Sequence, residues 1–288
     1  MRAFLLILFA IPFSLFFVHA ENSEKLELNL TLVDGFLPGC SSSSGVTWWG
    51  DLSEDKQYKQ VTNIPLEWKN PKIAQIEINL MQLIYQGVQN GKFPKELLKD
   101  ASDNLFIEID TTYLTEKNIR CCVSLAFGED EKGNTLYVID ADNNQNFEND
   151  SVFMIDKSFD FRLLSTEELF KHTKNVTIER YANSRLDSEL LPLLIYYDEN
   201  LGEISYSIPM HMASSWQVNT QKYDLTVEFS DRDESDLFIK SADSDKTKIS
   251  CQKGEFFEIE GKTFKYNGVN VLKRTLKLEE VKDKSNQN

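Results

Sequence analysis

The hydrophobic pattern changes character twice along this chain. Near the start, "KLELNLTLVDG" places Leu26, Leu28, Leu30 and Leu32 on one face with polar residues between them. That two-residue period belongs to a half-buried β-strand, and Asp34-Gly35 marks its end. "CSSSSG" (40–45) then reads as a flexible loop, followed by "VTWWGDL", where Trp48 and Trp49 stand side by side. From Pro71 the period lengthens. Ile73, Ile76, Leu80, Leu83, Ile84 and Val88 fall on a helical stripe closed by Asn90-Gly91. Ile76, Ile78 and Leu80 also alternate as a strand would, but the length of the segment favours the helix. "FPKELLKD" (93–100) reads as a second short helix with Pro94 in its first turn.

Beyond residue 100 the period returns to two. "LFIEID" (105–110), "RCCVSLAF" (120–127), "TLYVID" (135–140), "SVFMID" (151–156) and "FDFRLL" (159–164) are strand candidates, with "EDEKGN" as the turn before the third. Ser165-x-x-Glu168 is a capping box that opens a short helix through Phe170. "VTIERY", "LLIYYD", "GEISYSI", "YDLTVEF", "LFIK", "KISC", "FFEIE", "KTFKY" and "RTLKL" continue the series. Asn267-Gly268 is the strongest hairpin signal, and Glu260-Gly261 marks another tight connection. Many short strands at regular spacing predict a mainly β chain with an antiparallel, β-sandwich-like architecture and a small helical insertion. The expected division is a leader at 1–20, an N-terminal strand plus helical segment at 21–115, a β-rich domain at 116–282, and a polar tail at 283–288.

Composition settles the compartment expected. Residues 1–20 carry one early charge, Arg2, then an apolar run ending in Val18-His19-Ala20, a small-x-Ala pattern of the signal-peptidase type. The run reads as a cleaved signal peptide, and no later segment is long and apolar enough to span a bilayer. The body is therefore expected outside the cytoplasm, periplasmic or secreted. Cleavage leaves about 268 residues, 41% of the whole chain is hydrophobic, and its 19 Phe and 10 Tyr are enough to fill a sizeable core. The formal charge of −15, with 46 acidic against 31 basic side chains, repels phosphate backbones and argues against nucleic-acid binding.

Four cysteines, Cys40, Cys121, Cys122 and Cys251, allow two disulfides by any of three pairings, or fewer. Neighbours on a strand point to opposite faces, so Cys121 and Cys122 are expected to have different partners. No C-x-x-C occurs, which removes the thioredoxin motif and the zinc knuckle. Leu37-Pro38-Gly39-Cys40 mimics a lipoprotein signal but stands too far from the apolar leader, so lipidation at Cys40 is not expected. Structural cysteines are favoured over redox-active ones.

Candidate chemistry concentrates in "IDADNNQNFEND" (139–150). Asp140, Asp142 and Asn144 recur every second residue, Asn146 can add a main-chain carbonyl, and Asp150 can close the set. Calcium needs such hard oxygen ligands converging on a small sphere. The stretch is not an EF-hand: Gln145 stands at the glycine position, Ser151 at the bidentate Glu, and the preceding residues are strand-like. The competing reading is a solvated Asn/Asp hairpin loop. Asp140, Asp142, Glu148 and Asp150 so close together repel one another without a cation, which supports a structural Ca2+.

Other chemistries find little support. Only His172 and His211 lie beyond the leader, and no Gly-x-Ser-x-Gly elbow accompanies them. Zinc sites built on two or three histidines are nearly excluded by count. Met210-His211-Met212 reads as core methionines beside an exposed histidine rather than a copper site. Glu108 and Asp110 resemble a glycosidase pair only superficially, since acids two apart are common on solvated strands. Asn29, Asn149 and Asn175 head formal glycosylation sequons. Trp48 or Trp49 offers a sugar-stacking face, though packing of one ring inward is the simpler reading.

The stretch "IEIDTTYLTEKNIRCCVSLAFGEDEKGNTLYVIDADNNQNFENDSV", roughly residues 105 to 155, resembles a β-rich module of secreted bacterial proteins that precedes a TlpA-like thioredoxin domain. In that family a strand ending in Y-x-x-D runs into D-x-N-x-N-x-D-F-x-D-D, and "GEFFEIEGKTFKYNGVNV" gives a weaker echo. The thioredoxin domain has no counterpart here, so the resemblance carries no disulfide-exchange activity to this chain. It implies an extracytoplasmic bacterial β-rich module that serves as a binding or accessory domain, and the chain as a whole reads as a non-enzymatic module for an extracytoplasmic protein or glycan ligand. The alternative is a thiol-redox accessory protein using Cys121 or Cys122.

Overall fold

A computed structural model describes residues 24–37, 44–45, 47–49, 61–65, 67–105, 107, 109–230, 235–242 and 248–281. The expected signal peptide at 1–20, Cys40, Glu108, residues 282–288 and the side chains of Trp48 and Trp49 lie outside the described residues. Half of the chain is strand, and every ladder between strands is antiparallel.

In chain order the strands begin with β1 (Glu24–Asn29), β2 (Thr31–Asp34), β3 (Ser44–Gly45), β4 (Thr47–Trp49) and β5 (Lys69–Glu77). Helices α1 (Leu80–Gln89) and α2 (Lys95–Leu105) follow. Then come β6 (Cys122–Glu129), β7 (Thr135–Ile139), β8 (Val152–Met154), α3 (Thr166–His172), β9 (Lys174–Ala182), β10 (Arg185–Asp198) and β11 (Glu203–Ser207). The chain continues through β12 (Met210–Val218), β13 (Gln221–Glu228), β14 (Leu237–Ser241), β15 (Lys248–Cys251), β16 (Phe256–Ile259), β17 (Lys262–Asn270) and β18 (Thr275–Val281).

Four sheets form two sandwiches. The sheet β4-β5-β6-β7-β8 and the sheet β3-β11-β10-β9 enclose Ile76, Val123, Leu125, Val176, Leu191 and Leu193, all fully buried. The sheet β1-β18-β17-β16 and the sheet β15-β14-β13-β12-β2 enclose a second core around Met212, Leu225, Leu237, Phe264 and Tyr266. Trp216 meets Phe264 there edge to face, with centroids 4.7 Å apart. Leu32 and Phe229 pack against both cores. The alternating leucines at the start are divided accordingly, since β1 joins the edge of one sheet and β2 the edge of its partner. β5 pairs along its length with β6, so this ladder crosses the 115/116 position.

Several expectations need correction. The stripe beginning at Pro71 is not one helix. Its first half is β5, and only its second half is α1. Asn79 separates them: its side chain accepts from the Gln82 amide at 3.0 Å and caps α1, while the Ile78 and Asn79 amides both donate to the Cys121 carbonyl at 3.1 Å. Ala74, Gln75 and Ile76 are buried in succession, as in a strand covered on both faces. Residues 105–110 are not a strand among the described positions, because Leu105 ends α2 and the Ile107 amide folds back to the Ser102 carbonyl at 3.1 Å.

Residues 159–164 form no strand either. A single 3₁₀ turn, Phe161–Leu163, is capped by Asp160, whose carboxylate accepts from the Arg162 amide at 3.1 Å. Asn267-Gly268 is a bulge inside β17, not a hairpin turn; the register slips between Tyr266 and Val269, with Gly268 at φ 93°. Glu260-Gly261, at φ 52° and 72°, does form the two-residue turn joining β16 to β17. Ser165 caps α3 as the capping box requires, accepting from the Glu168 amide at 3.3 Å.

Candidate metal centre

The loop at 140–150 leaves β7 at the end of the first sandwich. Asp140 continues the ladder for one residue, its amide donating to the Ser124 carbonyl at 3.0 Å, and this buries its side chain completely. Its two carboxylate oxygens accept from the amides of Asn144 and Gln145, each at 2.8 Å. The chain can curl so tightly because Asn143 and Gln145 are left-handed, at φ 57° and 67°. Gln145 thus adopts the conformation that a glycine would supply at the equivalent turn of an EF-hand. The residue differs, but the backbone turn survives.

Asp142 Oδ1 accepts from the Asn144 amide at 3.2 Å, and its Oδ2 from the Asn144 and Asn149 side-chain amides at 2.9 and 3.0 Å. Asp150 returns to the loop's start, its Oδ1 accepting from the Ala141 amide at 3.1 Å. Asp150 Oδ2 is buried and has no hydrogen-bond partner among the described residues. One carboxylate oxygen from each of Asp140, Asp142 and Asp150 lies within 4.8 Å of the others. The side-chain oxygens of Asn144 and Asn146 turn elsewhere. Asn144 Oδ1 accepts from the Asn146 amide at 2.7 Å, and Asn146 Oδ1 from the Glu148 amide at 3.0 Å and Asn63 Nδ2 at 2.8 Å. Of the five residues singled out from the sequence, three aspartates bring their carboxylates together, the side chains of Asn144 and Asn146 brace the loop, and the expected role of Asn146 rests on its main-chain carbonyl.

Burial dominates the electrostatics. It pushes the Asp140 carboxyl up to about 6, against the amides that favour its charge and with the neighbouring Asp150 and Asp142 adding repulsion. Asp150 is raised for the same first reason, with Asp142 adding to it. Arg120 reaches the loop, donating to the Asp142 main-chain oxygen at 3.1 Å, but its guanidinium is paired with Glu179 at 2.8 Å. Three carboxylates therefore share a partly desolvated space with no side-chain cation bonded to any of them among the described residues.

Contacts that the sequence did not signal hold this loop. Asn143 is buried, and its Nδ2 donates to the carbonyls of Cys122 at 2.6 Å and Thr177 at 3.2 Å, joining the two sheets of the first sandwich. The Thr177 amide donates to the Ala141 carbonyl at 2.8 Å. Thr62 adds a parallel bridge, its amide donating to Gln145 O at 3.0 Å while its carbonyl accepts from Phe147 N at 3.1 Å. Phe147 is buried beside Val61, Trp68 and Val138. A freely solvated turn would have none of this anchoring.

The thiols differ from expectation. Cys121 precedes β6 instead of lying in it, so the opposite-face argument fails and the two sulfurs stand 3.9 Å apart. The contact with Cys121, and then burial, hold the Cys122 thiol well above its ordinary range. Both cysteines line a cavity of about 100 Å³ together with Gln75, Gln86, Arg120 and Asn143. Cys251 is buried in the second core, and no disulfide joins the described cysteines.

The histidines do not approach one another's chemistry. His172 packs on Phe159 with centroids 4.6 Å apart, and His211 Nδ1 meets the Gly35 carbonyl at 2.8 Å, half-buried where an exposed ring was expected. Met210 and Met212 are buried, as core methionines. No helix among the described residues is long and apolar enough to cross a membrane. No protein-family model, curated protein or solved structure matches the chain.

Proposed function

We propose that this protein is an extracytoplasmic, non-enzymatic binding or accessory module, and that its 140–150 loop holds a structural Ca2+ through Asp140, Asp142 and Asp150. The supporting observation is Asp150 Oδ2, a buried oxygen without a donor among the described residues, on a carboxylate that clusters with those of Asp140 and Asp142. Leaving such an atom unmatched costs about 1–3 kcal/mol, and more when it is charged. A divalent cation supplies what it lacks, with water and main-chain oxygens completing the shell. The leader-like start and the resemblance of residues 105–155 to secreted bacterial modules support the compartment. Partners of the expected class are an extracytoplasmic protein or a glycan.

Thermal unfolding with calcium and with a chelator tests the metal. At about 100 times its Kd, calcium adds about 2.7 kcal/mol, equivalent to about 5–10 °C for a chain of this size. Asp150→Asn is the informative variant. It keeps the acceptor for Ala141 and turns the orphan oxygen into a donor toward its neighbours. It is expected to raise the metal-free melting temperature by a few degrees and to abolish the calcium response. Superimposable curves for the wild type with and without calcium would refute the site.

The sulfur contact of 3.9 Å favours a second reading, the thiol-redox accessory. In it, Cys121 and Cys122 lose two electrons and two protons to an external disulfide, which leaves as two thiols. Adjacent Cα atoms lie only 3.8 Å apart across a trans peptide, below the usual span of about 4.4 Å, so the bond formed would be strained and readily reduced. Thiol counting before and after oxidised glutathione, then after dithiothreitol, separates the readings. Reversible loss of two thiols supports the redox role, and an unchanged count refutes it.

A further inference from the structure

A second cavity, of about 50 Å³, opens where the two sandwiches and the helices meet. Leu80, Ile107, Met212 and Phe229 give it apolar walls; Arg180 and Arg274 also line it, as does Glu179, which is paired with Arg120 at 2.8 Å. Arg180 is out of place in its strand. Along β9 the inward row runs Val176, Ile178, Arg180, so a guanidinium occupies a position where the period of two calls for an aliphatic side chain.

The surrounding charges do not cancel. Across the ladder, Ile178 faces Glu189 and Arg180 faces Asp187. Glu189 is taken by Arg274 in a bidentate pair at 2.9 and 2.6 Å, and Asp187 by Arg185 at 2.7 Å. With the Arg120–Glu179 pair included, four guanidiniums meet three carboxylates, and Arg180 is the one without an ion pair among the described residues. Among the described residues it bonds only the Leu272 carbonyl, a neutral acceptor that leaves most of its five N–H groups open. Burial, and then the neighbouring Arg274, lower its pKa, and the opposing pull of Glu189 and Asp187, both already paired, does not offset them. The first turn of α1, from Asn79 to Met81, lines the same cavity and brings the positive end of a ten-residue helix to it. Such an arrangement is anomalous in a chain with 46 acidic and only 31 basic side chains.

We propose that this cavity binds a small organic carboxylate with a short apolar body, its carboxylate paired with Arg180 and its carbon chain against Leu80, Ile107, Met212 and Phe229. A planar guanidinium matches a carboxylate with two parallel hydrogen bonds. The apolar walls select against a fully hydrated anion such as phosphate. The site is separate from the 140–150 loop, and the proposal stands or falls independently of calcium.

The full chain is titrated with butyrate, butanol and inorganic phosphate while its amide resonances are followed by NMR. Butyrate is expected to shift the amides of Leu80, Met81, Arg180 and Leu272, and to bind at least tenfold more tightly than either butanol or phosphate. In Arg180→Met, which retains the apolar stem, butyrate affinity is expected to fall at least tenfold while butanol affinity is unchanged. The wild-type comparison alone decides the matter if that variant does not fold. Equal binding of butyrate and butanol removes the role of Arg180, phosphate binding as tightly as butyrate removes the apolar subsite, and no response to butyrate overturns the proposal outright.

Discussion

Asp140 is buried before any ion is considered, because its backbone extends β7 and draws the carboxyl under the loop that it organises. Its pKa of about 6 lies above the ordinary 3.8, so the metal-free folded state holds a proton that the unfolded chain releases. This group's contribution to stability is complete below about pH 3.8 and is lost as pH rises through about 6. Calcium competes with that proton, since it requires the charged carboxylate. The increment in melting temperature on adding calcium is therefore expected to be larger at pH 7.5 than at pH 5. Melting curves at both pH values, each with saturating calcium and with chelator, check this. An increment that is constant or shrinks with rising pH would remove Asp140 from the ligand set.

At the scale of elements, the sequence was legible wherever one local signal acted alone. The Glu260-Gly261 turn, the Ser165 cap and the Asn90-Gly91 stop were all readable because each rests on φ or on a side chain bonded to its own turn. The region at 71–89 misled because two periods overlap in it, and Asn79 alone marks where one ends. Asn267-Gly268 misled for a related reason: a left-handed glycine serves a bulge as well as a hairpin, and only the paired strand decides. In the candidate site, the three converging aspartates were visible from spacing. The anchors were not, because Asn143, Thr62 and Thr177 meet the loop across sheets and strands distant in sequence. Cys121 and Cys122 came together for want of one residue of strand.

The whole molecule consists of two sandwiches with separate cores, and the first question at this scale is whether they unfold separately. Their junction argues that they do not. Leu32 and Phe229 each pack against both cores, and β12 starts with Met210 under one and places Met212 in the other. Half-buried polar links cross the same junction: Arg274 to Glu189, and Arg180 to the Leu272 carbonyl. Unfolding one sandwich alone would strip these groups of their partners and expose the apolar side chains, a cost that falls on whichever half remains folded. A single calorimetric transition is expected, with calorimetric and van't Hoff enthalpies equal. Phe229→Ala is expected to cost about 2–4 kcal/mol and to loosen the coupling, broadening the transition or splitting it. Calcium at the 140–150 loop of the first sandwich should then shift the wild-type transition as one unit, whereas in Phe229→Ala it should raise the first sandwich ahead of the second. Two resolved transitions in the wild type, only one of them moved by calcium, would show that the halves are energetically independent.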